Sequence, residues 1–178
     1  MRILYIITKY LTFPGAFLRA FWEHFTCKLL GLPVEDPAYL RANEMCGHID
    51  HALAKKGNAA FAVAFIPGLI NFLTGFPIFL AGIVNLAVME LGASDSISLF
   101  IISIAATYVG ASLLCSLFPP IETVMNLWDV VFAEKKSNIV GRIAAFIPTI
   151  LMYAGAYIEK YCVSFVIVAV LTILMFVK

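Results

Sequence analysis

The sequence contains few charged residues. Only 13% of its 178 residues are Asp, Glu, Lys or Arg, whereas 62% are hydrophobic, and the mean hydropathy is +0.97. A soluble domain has about 25% charged residues, so the composition indicates an integral membrane protein surrounded by membrane lipids. The net charge of +1 gives no basis for nucleic-acid binding.

Two motifs that carry metal or redox chemistry are missing from the chain. There is no His-Glu-x-x-His, which would place two imidazoles one helical turn apart with a general base beside them. The four cysteines have no C-x-x-C spacing, and we interpret them as reduced packing residues. The sequence therefore predicts no cofactor.

Long apolar stretches dominate what is present. About 20 apolar residues are needed to span a bilayer, and the stretches that reach or approach this length are 3–30, 59–89, 96–121, 139–158 and 161–177. Polar segments at 35–58 and 122–138 separate some of them. Pro67 and Pro77 interrupt the second stretch, which predicts a kinked or broken span. We expect an all-α integral membrane protein with about five transmembrane helices in one domain, 1–178.

The segment 13–34, FPGAFLRAFWEHFTCKLLGLPV, resembles the catalytic helix of membrane-embedded zinc metalloproteases of the site-2-protease-like class. In that class an FPG-type start is followed by His-Glu-x-x-His. The resemblance puts Arg19 and Glu23 at the two histidine positions and Ala20 at the position of the general-base glutamate. Arg19 is a cation that repels a metal ion, and Ala20 cannot take a proton from water. Glu23 alone could bind a metal, but it lacks the two further ligands that zinc needs.

Two later blocks extend the resemblance. Segment 47–82 is similar to a strand-like stretch followed by a helix with a Pro-x-x-x-Asn element, and segment 109–130 is similar to a Phe-Pro and Asn-Leu-Trp stretch. The further metal positions implied by the resemblance fall on Ser116 and Thr123. The implied helix- or peptide-binding groove comprises Pro67, Asn71, Phe118, Pro119, Asn126 and Trp128.

The resemblance implies a site-2-protease-like core that has lost its metal and its catalytic residues. We therefore expect a protein that is not an enzyme and that acts as a scaffold or subunit binding other membrane proteins in a hetero-complex. The distribution of the family implies a bacterial or archaeal cytoplasmic membrane. Arg19 and Glu23 are four residues apart on one helix face, and we expect them either to form an ion pair in the vacated metal site or to reach toward the interface.

The sequence also leaves rival functions open. Glu44, His48 and His51 have the spacing of one helical face and are a second candidate metal site. An active metalloenzyme would need relocated ligands taken from Glu23, His24, His48 or His51. A small transporter and a purely structural membrane subunit are two further candidate functions, although the later spans lack the acidic residues expected of an ion path.

Overall fold

The computed structural model describes residues 2–42, 45–133 and 139–177. Most of these residues are helical, so the prediction of a mainly helical chain is confirmed. The helices are α1 (Arg2–Leu11), α2 (Phe13–Leu29), α3 (Gly57–Ile83), α4 (Ile97–Leu114), α5 (Ile121–Trp128), α6 (Ile139–Lys160) and α7 (Val163–Phe176). Two π-helical segments, Val84–Val88 and Asp129–Ala133, continue α3 and α5.

Within the described residues, three helical stretches are long and apolar enough to cross a membrane. They are Gly57–Val88, Ile97–Leu114 and Gly141–Lys160. Helix α7 is also apolar but has only 14 residues. The number of long apolar helices is therefore smaller than the five spans expected from the sequence.

The first predicted span, 3–30, is divided into two helices. Thr12 separates α1 from α2 and has a backbone conformation outside the helical region (φ −103°, ψ 36°). Pro14 lies in the first turn of α2. Because proline has no N–H, it cannot donate to the carbonyl of Tyr10, and it disfavours a helical conformation at the preceding residue. A single helix through this region was therefore the wrong expectation.

The second predicted span is one continuous helix. Of its two predicted forms, a kinked helix or a broken pair, the broken pair is therefore wrong. Pro67 and Pro77 both lie inside α3. A spanning helix tolerates internal prolines where its neighbours and local adjustments satisfy the freed carbonyls. The third predicted span ends sooner than expected, because α4 stops at Leu114 and a turn leads through Pro119 and Pro120 to α5.

The core of the molecule is a three-helix contact. Helix α3 packs most extensively along α4, and α2 packs against both. Gly110 permits this close approach, because a Cβ atom there would overlap the backbone of Phe79 on α3. Small residues at such crossings are typical of helix packing in membranes.

A short two-stranded β-sheet lies at the polar segment 35–58, in contrast to the helical structure of most of the described residues. Strand β1 (Val34–Asp36) pairs antiparallel with β2 (Asp50–His51). The extended structure implied by the resemblance for this segment is thus present at Asp50–His51. The pairing brings His51 opposite Val34 and lays the segment against α2, where Ile49 packs with Ala20.

Candidate functional site

The centre of the candidate site is a junction of α2, α3 and the turn that follows α4. Asn71 on α3 is fully buried, and its amide nitrogen donates to the carbonyl of Ser116 at 2.9 Å and to that of Gly15 at 3.2 Å. Arg19 on α2 is also fully buried, and its Nη1 donates to the carbonyl of Leu117. The structure therefore brings together three sequence-predicted positions, Arg19, Asn71 and Ser116.

The contacts of Asn71 at this junction indicate a structural role. Both of its donor hydrogens are directed at backbone carbonyls from other segments, so they are not available to a peptide in the groove. The hydrogen bonds of the Asn71 side chain instead link α3 to α2 and to the turn at Ser116. Buried amides commonly join membrane helices in this way.

Glu23 lies one turn beyond Arg19 on α2, and its carboxylate binds two histidines. Oε2 is 3.1 Å from Nδ1 of His48, and Oε1 is 3.5 Å from Nε2 of His51. All three side chains are at most 6% exposed. The cluster joins α2 to the segment that carries β2.

The expected Arg19–Glu23 ion pair is absent from the ion pairs formed by the described residues. Each residue has different partners, Leu117 for Arg19 and the two histidines for Glu23. His48 and His51 are buried beside Glu23 and supply donors closer to its carboxylate than the guanidinium of Arg19 does. The expectation that Arg19 and Glu23 reach to the interface is also wrong, because both are buried.

The two histidines of the cluster titrate in opposite directions. Burial lowers the pKa of His48 below its ordinary value of 6.5, and the nearby cations Arg19 and Lys9 act in the same direction against Glu23. Burial also lowers the pKa of His51, but its hydrogen bonds with Glu23 and with the carbonyl of Ala52 outweigh this and raise the pKa. His48 is therefore a neutral hydrogen-bonding group at pH 7, and His51 is the more readily charged partner of Glu23.

The same cluster bears on the candidate metal sites. Among the described residues, no group of three His, Cys, Asp or Glu side chains has an arrangement that could hold a metal ion. Within the cluster, each histidine instead contacts a different oxygen of the Glu23 carboxylate. His24 lies apart from the cluster, with Nδ1 2.9 Å from the hydroxyl of Tyr39. Glu44, which the sequence grouped with the two histidines, lies outside the described residues.

A second buried charge cluster was not predicted from the sequence. Lys9 on α1 forms an ion pair with Glu159 near the end of α6, and its Nζ also donates to Oγ of Ser116 at 3.1 Å. The second oxygen of Glu159 accepts from the backbone N–H of Phe118 at 2.7 Å. The signal in the sequence was Lys9 itself, since a lone cation in an apolar helix requires a partner.

A cavity of about 260 Å³ lies between the two charge clusters. Its polar wall contains His48, Glu159 and Tyr5, and its apolar wall contains Phe118 and Pro119. Two residues of the predicted groove thus line a real cavity. The cavity also has residues that the resemblance did not indicate: Met45, Pro120, Ile121, Glu122 and Lys160.

The remaining predicted site residues have packing or tethering positions. Ala20 is fully buried in an apolar cluster with Cys27 and Ile49. Pro67 and Thr123 are buried, and neither is a member of the cluster formed by Glu23, His48 and His51. Asn126 donates from Nδ2 to the carbonyl of Ala54 at 3.2 Å.

Trp128 does not line the cavity beside Phe118. Its side chain is 39% exposed, and its ring lies 4.7 Å from that of Phe132. It lines a different cavity, between α5 and α6. Of the six predicted groove residues, Phe118 and Pro119 line the first cavity and Trp128 lines the second, whereas Pro67, Asn71 and Asn126 line neither.

No protein-family model, curated protein or solved structure matches this chain.

Proposed function

We propose that the chain is an integral membrane protein of about five spans with a metalloprotease-like core that binds segments of other membrane proteins without cleaving them. It would serve as a scaffold or subunit of a hetero-complex in a bacterial or archaeal cytoplasmic membrane. Helices α3, α4 and α6 supply three spans. The α1–α2 unit and α7 supply the remaining two.

The burial of Arg19 is the observation that carries the proposal. Its guanidinium is a permanent cation at the centre of the fold, bound to the carbonyl of Leu117. The resemblance puts a metal-binding histidine at this position. A fixed positive charge there opposes metal binding, and Ala20 beside it provides no general base.

The uncovered faces of the long helices support a role in binding. Between 18% and 39% of the residues in the three long apolar stretches are buried within the chain. The uncovered faces contact lipid or other proteins. The cavity beside Phe118 and Pro119 offers a concave surface, with His48 as a neutral hydrogen-bonding group.

The first experiment combines metal analysis with crosslinking of the full chain in its own membrane. A photoreactive amino acid replaces Ile121, which lines the cavity, or Ile101 on α4, which is 58% exposed and serves as the matched control. We expect defined adducts with membrane-spanning proteins from position 121, only lipid adducts from position 101, and no stoichiometric zinc. Adducts from neither position would contradict the proposal.

The metalloenzyme with relocated ligands is the second candidate. The convergence of Glu23 on His48 and His51 favours it. The lack of a metal-binding group of three ligands among the described residues gives it less support than our proposal. The two candidate functions predict different results in the metal analysis. Near-stoichiometric zinc that is lost in His48→Ala and His51→Ala, and kept in His24→Ala, would establish the metalloenzyme candidate and overturn our proposal.

A further inference from the structure

A second cavity, of about 430 Å³, lies outside the site described above. It opens between the end of α5, the π-helical segment that follows it and the middle of α6, and these three elements pack against one another. It shares no lining residue with the cavity beside Phe118. The residues that line it are Met125, Trp128, Asp129, Ile150, Tyr153 and Ala154.

Two aromatic rings form part of the wall of this cavity. Trp128 on α5 and Tyr153 on α6 are both exposed, so their rings are accessible to a ligand. A second aromatic side chain supports each of them. The ring of Trp128 lies 4.7 Å from that of Phe132, and the ring of Tyr153 lies 5.2 Å from that of Tyr157. These contacts hold the two rings in place before a ligand arrives, which lowers the entropic cost of binding.

The charge of the lining distinguishes this cavity from the one beside Phe118. Asp129 is the one charged residue among the described residues that line it, and its side chain is exposed. The cavity beside Phe118 also has carboxylates, but Lys160 shares its wall, and Lys9 is paired with one of them, Glu159. Of the two cavities, the one between α5 and α6 therefore has a negative charge that no lining cation among the described residues offsets.

A negative charge beside aromatic faces attracts an organic cation. The faces of Trp and Tyr rings are negative, and they bind quaternary ammonium groups in aromatic cages. A primary ammonium has three N–H donors to satisfy, whereas Asp129 is the single carboxylate among the described residues of this wall. The methyl groups of a quaternary ammonium need no hydrogen bond and can pack against Met125 and Ile150. The lining therefore fits a methylated ammonium group better than a primary amine.

We propose that the cavity between α5 and α6 binds a quaternary ammonium group of the choline type. Asp129 supplies the opposite charge, and Trp128 and Tyr153 supply the aromatic faces. The headgroup of a phosphatidylcholine-type lipid and free choline are two sources of this cation, because both present the same trimethylammonium group. The inference goes beyond the proposed function and does not depend on it, since the two cavities are separate.

The test compares choline with its neutral isostere, in which a tert-butyl group replaces the trimethylammonium group. The full chain is purified in a maltoside detergent, which has no ammonium group, and binding is measured by isothermal titration calorimetry. We expect choline to bind about tenfold more tightly than the isostere, because the carboxylate and the ring faces act on the positive charge and not on the shape. Equal affinities, or no measurable binding of choline, would overturn the inference.

Four variants assign the binding to this cavity. Asp129→Asn and Tyr153→Leu should each weaken choline binding several-fold and leave binding of the neutral isostere unchanged. Asp50→Asn and Tyr10→Leu are the matched controls, because both residues are exposed and line neither cavity, and they should leave choline binding unchanged. Choline binding that is unaffected by Asp129→Asn and by Tyr153→Leu would mean that the cation binds elsewhere, and the inference would fail.

Competition distinguishes the two sources of the cation. Short-chain phosphatidylcholine is added to the choline-bound chain, and short-chain phosphatidylglycerol is the control lipid without an ammonium group. Displacement by phosphatidylcholine alone supports a lipid headgroup as the ligand, and displacement by neither lipid supports a free solute. Displacement by both lipids would show that the ammonium group is not what the site recognises, and would overturn the inference. The proposed function is tested separately, by the adducts at position 121.

Discussion

Lys9 and Glu159 form a buried ion pair between α1 and the end of α6, across 150 residues of sequence. Their side chains are 3% and 5% exposed. Because Glu159 also accepts from the N–H of Phe118 and Lys9 also donates to Ser116, the pair holds α1 and the end of α6 against the turn after α4. It thereby fixes one wall of the cavity beside Phe118.

Removing one partner of this pair should destabilise the protein strongly. Lys9→Met leaves a buried carboxylate without its cation, and breaking such a pair costs about 3–5 kcal/mol. The double variant Lys9→Met/Glu159→Gln should recover part of this loss, because the uncompensated charge is gone and an oxygen is kept for Phe118. Thermal unfolding in detergent measures both effects. A double variant that loses the sum of the two single losses would contradict this account.

Hydropathy alone could predict most of the helices but not how the first one divides. The apolar stretches that became α3, α4, α6 and α7 are visible in the sequence because each is long and nearly free of charge. The break at Thr12 depends on one missing N–H at Pro14, which a hydropathy average does not register. The early end of α4 is missed for a similar reason. The stretch up to 121 remains apolar although it contains Pro119 and Pro120, so a hydropathy average extends the span past the end of the helix.

The candidate site could be predicted only in part, because spacing gives position along a helix and not partners. Arg19, Asn71 and Ser116 were singled out from the sequence, and they meet in the fold. Glu23 was assigned to Arg19 from their i,i+4 spacing, but His48, 25 residues away, is its partner. Contacts between distant segments depend on the packing of the whole chain, and neither the histidine contact nor the ion pair of Lys9 is encoded in a local pattern.

Asn71 should be far more sensitive to substitution than Asn85, the second amide on the same stretch. Asn71→Leu removes the donor that the side chain supplies to the carbonyls of Gly15 and Ser116, and a buried polar group that loses its partner costs about 1–3 kcal/mol. We expect a total loss of about 2 kcal/mol or more. Asn85→Leu removes a single part-buried contact with Ser103 and should cost less. Equal shifts in the unfolding midpoint would show that Asn71 is not the tie we describe.

Gly68 should not tolerate a methyl group. A Cβ atom there would overlap the carbonyl oxygen of Leu117 and lie 2.9 Å from Nη1 of Arg19, so Gly68→Ala must displace the contact that holds the guanidinium. Overpacking of this kind costs about 1–3 kcal/mol. Gly141→Ala is the matched control, because a Cβ there meets nothing within 4 Å and alanine favours a helix. The measurement is the unfolding midpoint of both variants. A tolerated Gly68→Ala would mean that α3 and the turn are not in close contact.

The opposite pKa shifts of the two histidines predict two separable limbs in the pH dependence of stability. The folded state binds fewer protons than the unfolded state at His48, so His48 costs stability as the pH falls from about 6.5 toward its lowered pKa. At His51 the folded state binds more protons, so its contribution is complete below 6.5 and is lost as the pH rises through the raised pKa. Unfolding midpoints measured from about pH 4.5 to about pH 8.5 should lose their acid limb in His48→Gln and their alkaline limb in His51→Gln. His24→Gln, which lies outside the cluster, should keep both limbs. If His48→Gln leaves the acid limb unchanged, the burial of His48 is not what sets that limb.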